Sequence, residues 1–318
     1  MEQQQSQVNI YARQILTQVR KAIVGKDAVL LQALAAILAG GHILMEDIPG
    51  VGKTTMALAF SKAMSLQQNR LQFTPDVLPS DVTGYSVPDQ QTGQLVYRKG
   101  AVLCNLFLAD ELNRATSRTQ SALLEAMEEK QVTVDGTSHP LPQPFIVIAT
   151  QNPAGAAGTQ LLPDSQIDRF MVRLSLGYPS PKDEIAMVQD RQGTDPLQQI
   201  QSVISAQELT ALREQVKNTF IGEEVTAYAV DLIQATRTDD RLLRGASPRA
   251  TLALVAMAKA MAQLRGRSYV IPQDVQDAFL ATQAHRLEPA PGAIGQGMSP
   301  EAILKEILAR IPAPKLRG

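Results

Sequence analysis

Residues 43–56 read ILMEDIPGVGKTTM: a short apolar run, a glycine-bearing turn, then Lys53-Thr54 opening a stretch of helical composition. That order matches a phosphate-binding loop, whose general pattern is G-x-x-x-x-G-K-[ST]. Gly52, Lys53 and Thr54 supply its end, while Asp47 stands where the first glycine is expected. Backbone N–H groups of residues 50–54 can wrap a β-phosphate, because Gly50 and Gly52 let the main chain come close. Lys53 then bridges the β- and γ-phosphates, and the Thr54 hydroxyl is a ligand for Mg²⁺. The helix that follows aims its positive end at the same anion. Asp47 is expected to sit at the strand exit and to bond its own turn, so that glycine there is expected to leave ATP affinity almost unchanged. Taken alone, the broken pattern is also compatible with a chance glycine turn. The segments downstream decide between the two.

Two further apolar runs follow, CNLFLAD at 104–110 and FIVIATQN at 145–152, each ending in polar residues. Uniformly apolar runs of this length read as strands of a parallel sheet buried on both faces. In such sheets, ligands sit at the carboxyl ends of the strands. Asp110 is placed there to hold the Mg²⁺ shell, and Glu111 to polarise an attacking water. The strand pleat is expected to send the two carboxylates in different directions. Asn152 is a candidate to hold the same water or the γ-phosphate, although an isolated Asn is more often a turn former. Two arginines complete the set, Arg169 in LPDSQIDRF and Arg249 in GASPRA. Arg249 falls at a helix start, where a cation sits poorly with the helix dipole and so answers to an anion. An arginine that reaches a γ-phosphate is worth ~10³ or more in rate. Each is also compatible with a surface ion pair.

The second half changes character at Tyr178-Pro179-Ser180-Pro181, which reads as a hinge. Beyond it the patterns are helical. Ser205 and Glu208 form a capping box ahead of Leu209, Leu212 and Val216, and Val225, Tyr228, Ala229, Leu232 and Ile233 make a second stripe. Ser247-Pro248 and Ile271-Pro272 each open a helix. The tail after Leu287 is rich in Pro and Gly, with one amphipathic piece, PEAILKEILARI. The expected fold class is therefore α/β: a parallel-sheet core over residues 1–177, followed over 178–318 by a small all-helical domain.

Composition removes several alternatives. The chain has 318 residues, 44% apolar and 19% charged, with a formal net charge of -1. That balance makes no global electrostatic case for a nucleic-acid or anionic-membrane partner. Cys104 is the only cysteine and reads as a small buried hydrophobe. His42, His139 and His285 lie far apart without ligand spacing, so no structural metal is expected. The polar N-terminus lacks the apolar core of a signal peptide, and the apolar run at 29–39 is too short to span a bilayer. A cytoplasmic protein is expected, with no membrane insertion.

In this order, the strings DELNRA (110–115), RTQSALLEAMEEKQVTVDG (118–136), ATQNP (149–153), DRFMVR (168–173) and GASPRA (245–250) resemble the AAA+ ATPases, and among them the MoxR family. The resemblance runs from about residue 23 to the tail. It implies a P-loop αβα core with a helical lid, and hydrolysis of ATP with Mg²⁺. By the family pattern, Ile23, Val24 and Gly25 line the adenine pocket. Pro49, Gly50, Val51, Gly52, Lys53, Thr54 and Thr55 form the Walker A loop, and Asp110 and Glu111 form Walker B. Asn152 is sensor 1. Arg169 is the finger for a neighbouring subunit's ATP, and Arg249 is sensor 2, closing the lid over nucleotide. A finger in trans implies a homo-oligomeric ring, a hexamer. The family also implies a chaperone-like role on a client protein with a von Willebrand factor A domain partner, often in inserting metal cofactors. Residues 71–97 resemble the insert in the second core helix, and residues 132–145 a hairpin ahead of sensor 1. A chelatase-type motor subunit is the alternative. A nucleic-acid motor is disfavoured, because neither insertion carries Lys or Arg.

Overall fold

The computed structural model describes residues 6–152, 162–190 and 195–315; Pro153 of the ATQNP string lies outside them. Five parallel strands form the core sheet: β1 (Ile43–Glu46), β2 (Gln68–Gln72), β5 (Leu106–Asp110), β8 (Ile146–Gln151) and β9 (Val172–Leu174), in the order β2-β5-β8-β1-β9. The three apolar runs read from sequence are its three central strands, and β5 and β8 are buried at every position. The two edge strands carry weaker signals, since β2 is the polar, half-exposed QNRLQ and β9 has only three residues.

Alternation along these strands builds two cores. Ile43, Met45, Leu106, Leu108, Ile146 and Ile148 point into one cluster, and Leu44, Phe107, Ala109, Val147 and Ala149 into the other. This is the period of two that a pleated strand imposes. The first cluster holds the helices α1 (Gln7–Val19), α2 (Asp27–Leu38) and α3 (Lys53–Ala63). The second lies under the short α4 (Pro79–Thr83) and α5 (Ser117–Glu129).

After the short α6 (Asp164–Ile167) and β9, the helices α7 (Pro181–Asp190), α8 (Ala206–Lys217), α9 (Glu223–Arg237), α10 (Pro248–Leu264) and α11 (Pro272–Gln283) follow, then α12 (Pro291–Gly295) and α13 (Pro300–Arg310). Their starts agree with the sequence signals: Ser205 and Ser247 cap α8 and α10, and Pro272 opens α11. The lid shares its core with the N-terminal helices. Leu209, Leu232, Leu254 and Phe279 join the same apolar cluster as Leu30 and Leu34 of α2. Packing is therefore continuous across the hinge at 178–181.

Two hairpins leave this body. β3 (Gly84–Pro88) pairs with β4 (Leu95–Lys99), and β6 (Gln131–Val134) with β7 (Thr137–Pro140). They meet through stacked rings of Tyr97 and His139, 3.7 Å between centroids. The expected 71–97 insertion shifts: Leu71 and Gln72 belong to β2, and the hairpin runs to Lys99. This adds Arg98 and Lys99 at its base, so the segment is less anionic than the sequence boundary implied. The tip, 89–94, carries only Asp89. Cys104 is buried at the foot of β5, and burial pushes its thiol up to about 12. No helix among the described residues is long and apolar enough to cross a membrane.

Candidate functional site: a phosphate cleft and a remote arginine pair

Parallel strands bring their carboxyl ends to one rim, and a cleft of about 620 Å³ opens there, a size that suits a small-molecule ligand. Ile23, Val24, Pro49, Gly50, Val51, Gly52, Lys53, Thr54, Thr55, Asp110, Glu111 and Asn152 all line it. Gly25 sits just behind the lining, against Asp183. The glycine loop turns through Gly52, whose φ of 100° is a left-handed conformation that a side chain would strain. Tyr178, Pro179 and Met187 face the cleft from the hinge and α7. Ile23 and Val24 therefore share an apolar end with residues from beyond the hinge.

Lys53 is nearly buried, and its Nζ donates to the carbonyls of Asp47 at 2.6 Å and Ile48 at 3.2 Å. Burial lowers its pKa, while Asp47, Asp110 and Glu111 pull it back up. The lysine is thus a desolvated cation held by neutral carbonyls, able to donate to an anion placed in the cleft.

Asp110 and Glu111 diverge by a different means from the one expected. Asp110 ends β5, but Glu111 lies beyond the strand with φ 55° and ψ 44°. A left-handed turn, uncommon for a non-glycine residue, separates the two carboxylates rather than the pleat. Thr150 fixes that turn: its hydroxyl donates to Asp110 Oδ1 at 2.6 Å and accepts the Glu111 N–H at 2.8 Å. Glu111 also takes Arg114 at 2.8 Å and faces the Asn152 amide at 3.5 Å. The Arg114 hydrogen bond, aided by Asn152 and Gln72, holds its carboxyl below the usual range against burial. Glu111 is ionised at neutral pH and able to accept a proton or orient a water.

The sequence reading missed Arg70 and Gln72, which both project from β2 into the cleft. Arg70 Nη2 lies 2.6 Å from Asp110 Oδ2, and Gln72 faces Glu111 at 3.5 Å. Their spacing of two in a polar edge strand was the available signal. It identifies a shared face only once β2 is known to border β5. Thr54 and Asp110 offer hard hydroxyl and carboxylate oxygens beside the phosphate loop, a donor set that fits Mg²⁺ completed by phosphate and water. Among the described residues, no cluster of three or more His, Cys, Asp or Glu is arranged as a metal cage.

Arg169 and Arg249 do not join this cleft. Both pair with Glu128 of α5: Arg169 Nη2 lies 3.1 Å from Oε2, and Arg249 Nη2 lies 2.7 Å from Oε1. Arg249, expected to close the lid over nucleotide, is presented by α10 to Glu128 of α5 and is not among the residues lining this chain's cleft. A buried arginine that the sequence reading missed locks this arrangement. Arg286 pairs with Asp168 at 2.7 Å and donates to the Phe170 carbonyl at 2.8 Å. Asp168 also accepts from Ser247, the cap of α10, at 3.2 Å. Asp168 thereby fixes both the turn bearing Arg169 and the helix start bearing Arg249. Two guanidiniums converge on one carboxylate at this edge, where Glu125 and Glu129 also lie beside Arg169.

Known proteins match this chain on both halves. The family model for the ATPase family associated with various cellular activities (AAA) matches residues 42–172, and that for the AAA lid domain matches residues 234–307. The uncharacterised protein YeaC of Bacillus subtilis is 42% identical over 300 residues, covering 94% of each chain. The chaperone MoxR1 of Mycobacterium tuberculosis is 37% identical over 95% of this chain and 82% of its own length. The crystal structure of a protein from Cytophaga hutchinsonii superposes with a TM-score of 0.89 at 36% identity, covering 97% of this chain and 96% of that one.

Proposed function

This chain belongs to the MoxR family of AAA+ ATPases, and from that premise we propose that it hydrolyses ATP with Mg²⁺ at the β-strand rim, as a ring whose neighbouring subunits complete each site. Within one subunit, the N–H groups of the 50–54 loop and Lys53 bind the phosphates. Glu111, oriented by Asn152 and Thr150, holds the attacking water. Thr54 and Asp110 would hold Mg²⁺, which would neutralise charge on the phosphate oxygens. Asp110 must release Arg70 to do so.

The observation that carries the ring is the pair Arg169 and Arg249 on Glu128. Two cations are gathered at an exposed edge, yet neither lines the cleft of its own chain. A phosphoryl group from a second copy would take these guanidiniums from Glu128, the carboxylate that both share. On this reading Arg249 acts in trans beside Arg169, and nucleotide state is transmitted between subunits. The ring is proposed to remodel a client protein, with a von Willebrand factor A domain partner and metal-cofactor insertion as the family-level expectation. The hairpin tips, which lack Lys and Arg, suit a protein client better than a phosphate backbone.

The test is a mixing experiment. Glu111→Gln subunits are expected to bind Mg·ATP with almost no turnover, and Arg169→Ala subunits to be inactive alone. Mixed rings regain turnover, because intact clefts then meet intact arginines. Absence of any recovery, with mixed assembly shown by mass photometry, rejects the shared site. Pull-down with the Glu111→Gln trap, with and without ATP, identifies the client and partner.

A further inference from the structure

Asp47 occupies the position of the missing glycine, and its surroundings differ from those of a turn residue. It is 5% exposed, and its carboxylate makes no bond to its own turn. Instead it reaches the chain just after β9. Ser175 Oγ donates to Oδ1 at 2.7 Å, Leu176 N–H to Oδ2 at 2.6 Å, and Gly177 N–H to Oδ1 at 3.0 Å. Consecutive N–H groups curled around an anion form a nest. Gly177, at φ 60°, supplies the left-handed residue that closes it. The next two residues, Tyr178 and Pro179, line the apolar end of the cleft, and α7 follows with Met187. Lys26 secures the far side by donating to the Tyr178 carbonyl at 2.6 Å. The backbone carbonyl of Asp47 meanwhile holds Lys53. One residue therefore touches the phosphate-loop lysine through its main chain, and through its side chain the segment that leads directly into the cleft-lining Tyr178 and Pro179.

We propose that Asp47 is a positioning residue that ties the wall at 178–187 to the root of the phosphate loop, holding the nucleoside and phosphate ends of the cleft at one spacing. The inference rests on reading the cleft as the ATP site. Glycine at this position preserves the loop's own geometry but removes all three hydrogen bonds to the nest. Hydrogen bonds to an ionised group are strong enough that losing them loosens the wall by a measurable factor.

The test compares two ligands, ATP and inorganic tripolyphosphate, which lacks the nucleoside. Affinities are measured by competition against a fluorescent nucleotide. Asp47→Gly is expected to weaken ATP ~10-fold or more and to leave tripolyphosphate within ~2-fold. Asp47→Asn keeps one acceptor oxygen, so part of the ATP affinity is restored. Ser175→Ala removes one bond of the three and serves if the glycine variant does not fold; it weakens ATP alone, by ~3-fold. Equal weakening of both ligands means that Asp47 merely shapes the loop, and overturns the proposal. So does unchanged ATP affinity in Asp47→Gly with a native melting transition. Lys53→Ala is the separate control. If it leaves both ligands bound as before, the cleft is not the phosphate site, and the reading fails on a residue other than Asp47.

Discussion

Replacing Arg249 with alanine separates two geometries that the motif alone leaves equivalent. If Arg249 reached over its own chain's nucleotide, its loss would remove a charge-assisted hydrogen bond worth about 1.5–3 kcal/mol. ATP affinity would then fall by roughly 10- to 150-fold. In the structure its guanidinium is 2.7 Å from Glu128, half-exposed, and outside the cleft. Such a pair contributes about 0–1 kcal/mol. The isolated subunit should therefore keep its ATP affinity within ~2-fold and lose less than ~1 kcal/mol of stability. Turnover is where the loss should appear. An arginine on the transferring phosphoryl group is worth ~10³, about 4 kcal/mol of barrier at 1.36 kcal/mol per tenfold. Arg169 shares that work, so a fall of ~10²–10³ is expected in the assembled state. Fluorescent-nucleotide titration of dilute protein measures the affinity, and phosphate release from concentrated protein measures turnover. Glu111→Gln subunits, whose arginines are intact, should restore turnover on mixing. An affinity loss above ~10-fold in dilute Arg249→Ala, with no rescue on mixing, would place Arg249 over its own cleft and refute the reasoning.

Three further outcomes are expected. Arg70→Ala frees Asp110 from a half-exposed pair worth ~0.5–1 kcal/mol, so half-saturating Mg²⁺ in the ATPase assay should fall ~2- to 5-fold; a raised Mg²⁺ requirement would show that Arg70 supports Asp110 rather than competing for it. Lys53→Ala should abolish binding of fluorescent ATP, since no other cation is held at the loop's two carbonyls; retained affinity contradicts the phosphate role. His42 is partly buried, accepts the Val147 N–H, and has its pKa lowered by desolvation from 6.5 to about 4. The folded state therefore binds fewer protons than the unfolded chain between those values, and stability should fall as pH drops from 6.5 toward 4. The loss by pH 5 is ~2 kcal/mol from this group. Urea midpoints at pH 7 and 5 test it: His42→Gln should flatten the dependence, and a flat wild-type profile contradicts a neutral, desolvated imidazole.

Much of the cleft was legible because its parts are local. A phosphate loop is a contiguous turn with a helix behind it, and Asp110-Glu111 directly follows an apolar run. β2 was not legible: an edge strand exposes half its residues, and QNRLQ has no apolar pattern to separate it from loop. With β2 went Arg70 and Gln72, whose relevance depends on lying beside β5. The pleat was the wrong reason for the divergence of Asp110 and Glu111, because a left-handed turn does that work. No local propensity announces such a turn at a glutamate; Thr150, from another strand, holds it in place. Arg286 was missed because it lies just past the end of α11, outside every motif, and only folding buries it against Asp168.

The sequence by itself determined the fuel and the family: loop, carboxylate pair and ordered strings are properties of neighbours along the chain, where spacing alone constrains geometry. Tertiary structure alone decided the partners of the long-range charges. Glu128, Arg169 and Arg249 meet because α5, the turn at 168–170 and α10 pack together, and Asp47 meets residues 175–177 because β1 and β9 lie side by side. A charge takes whichever opposite charge or N–H nest folding brings within about 3 Å, and that pairing is set by the packing of buried apolar faces, which the charged residues themselves do not encode.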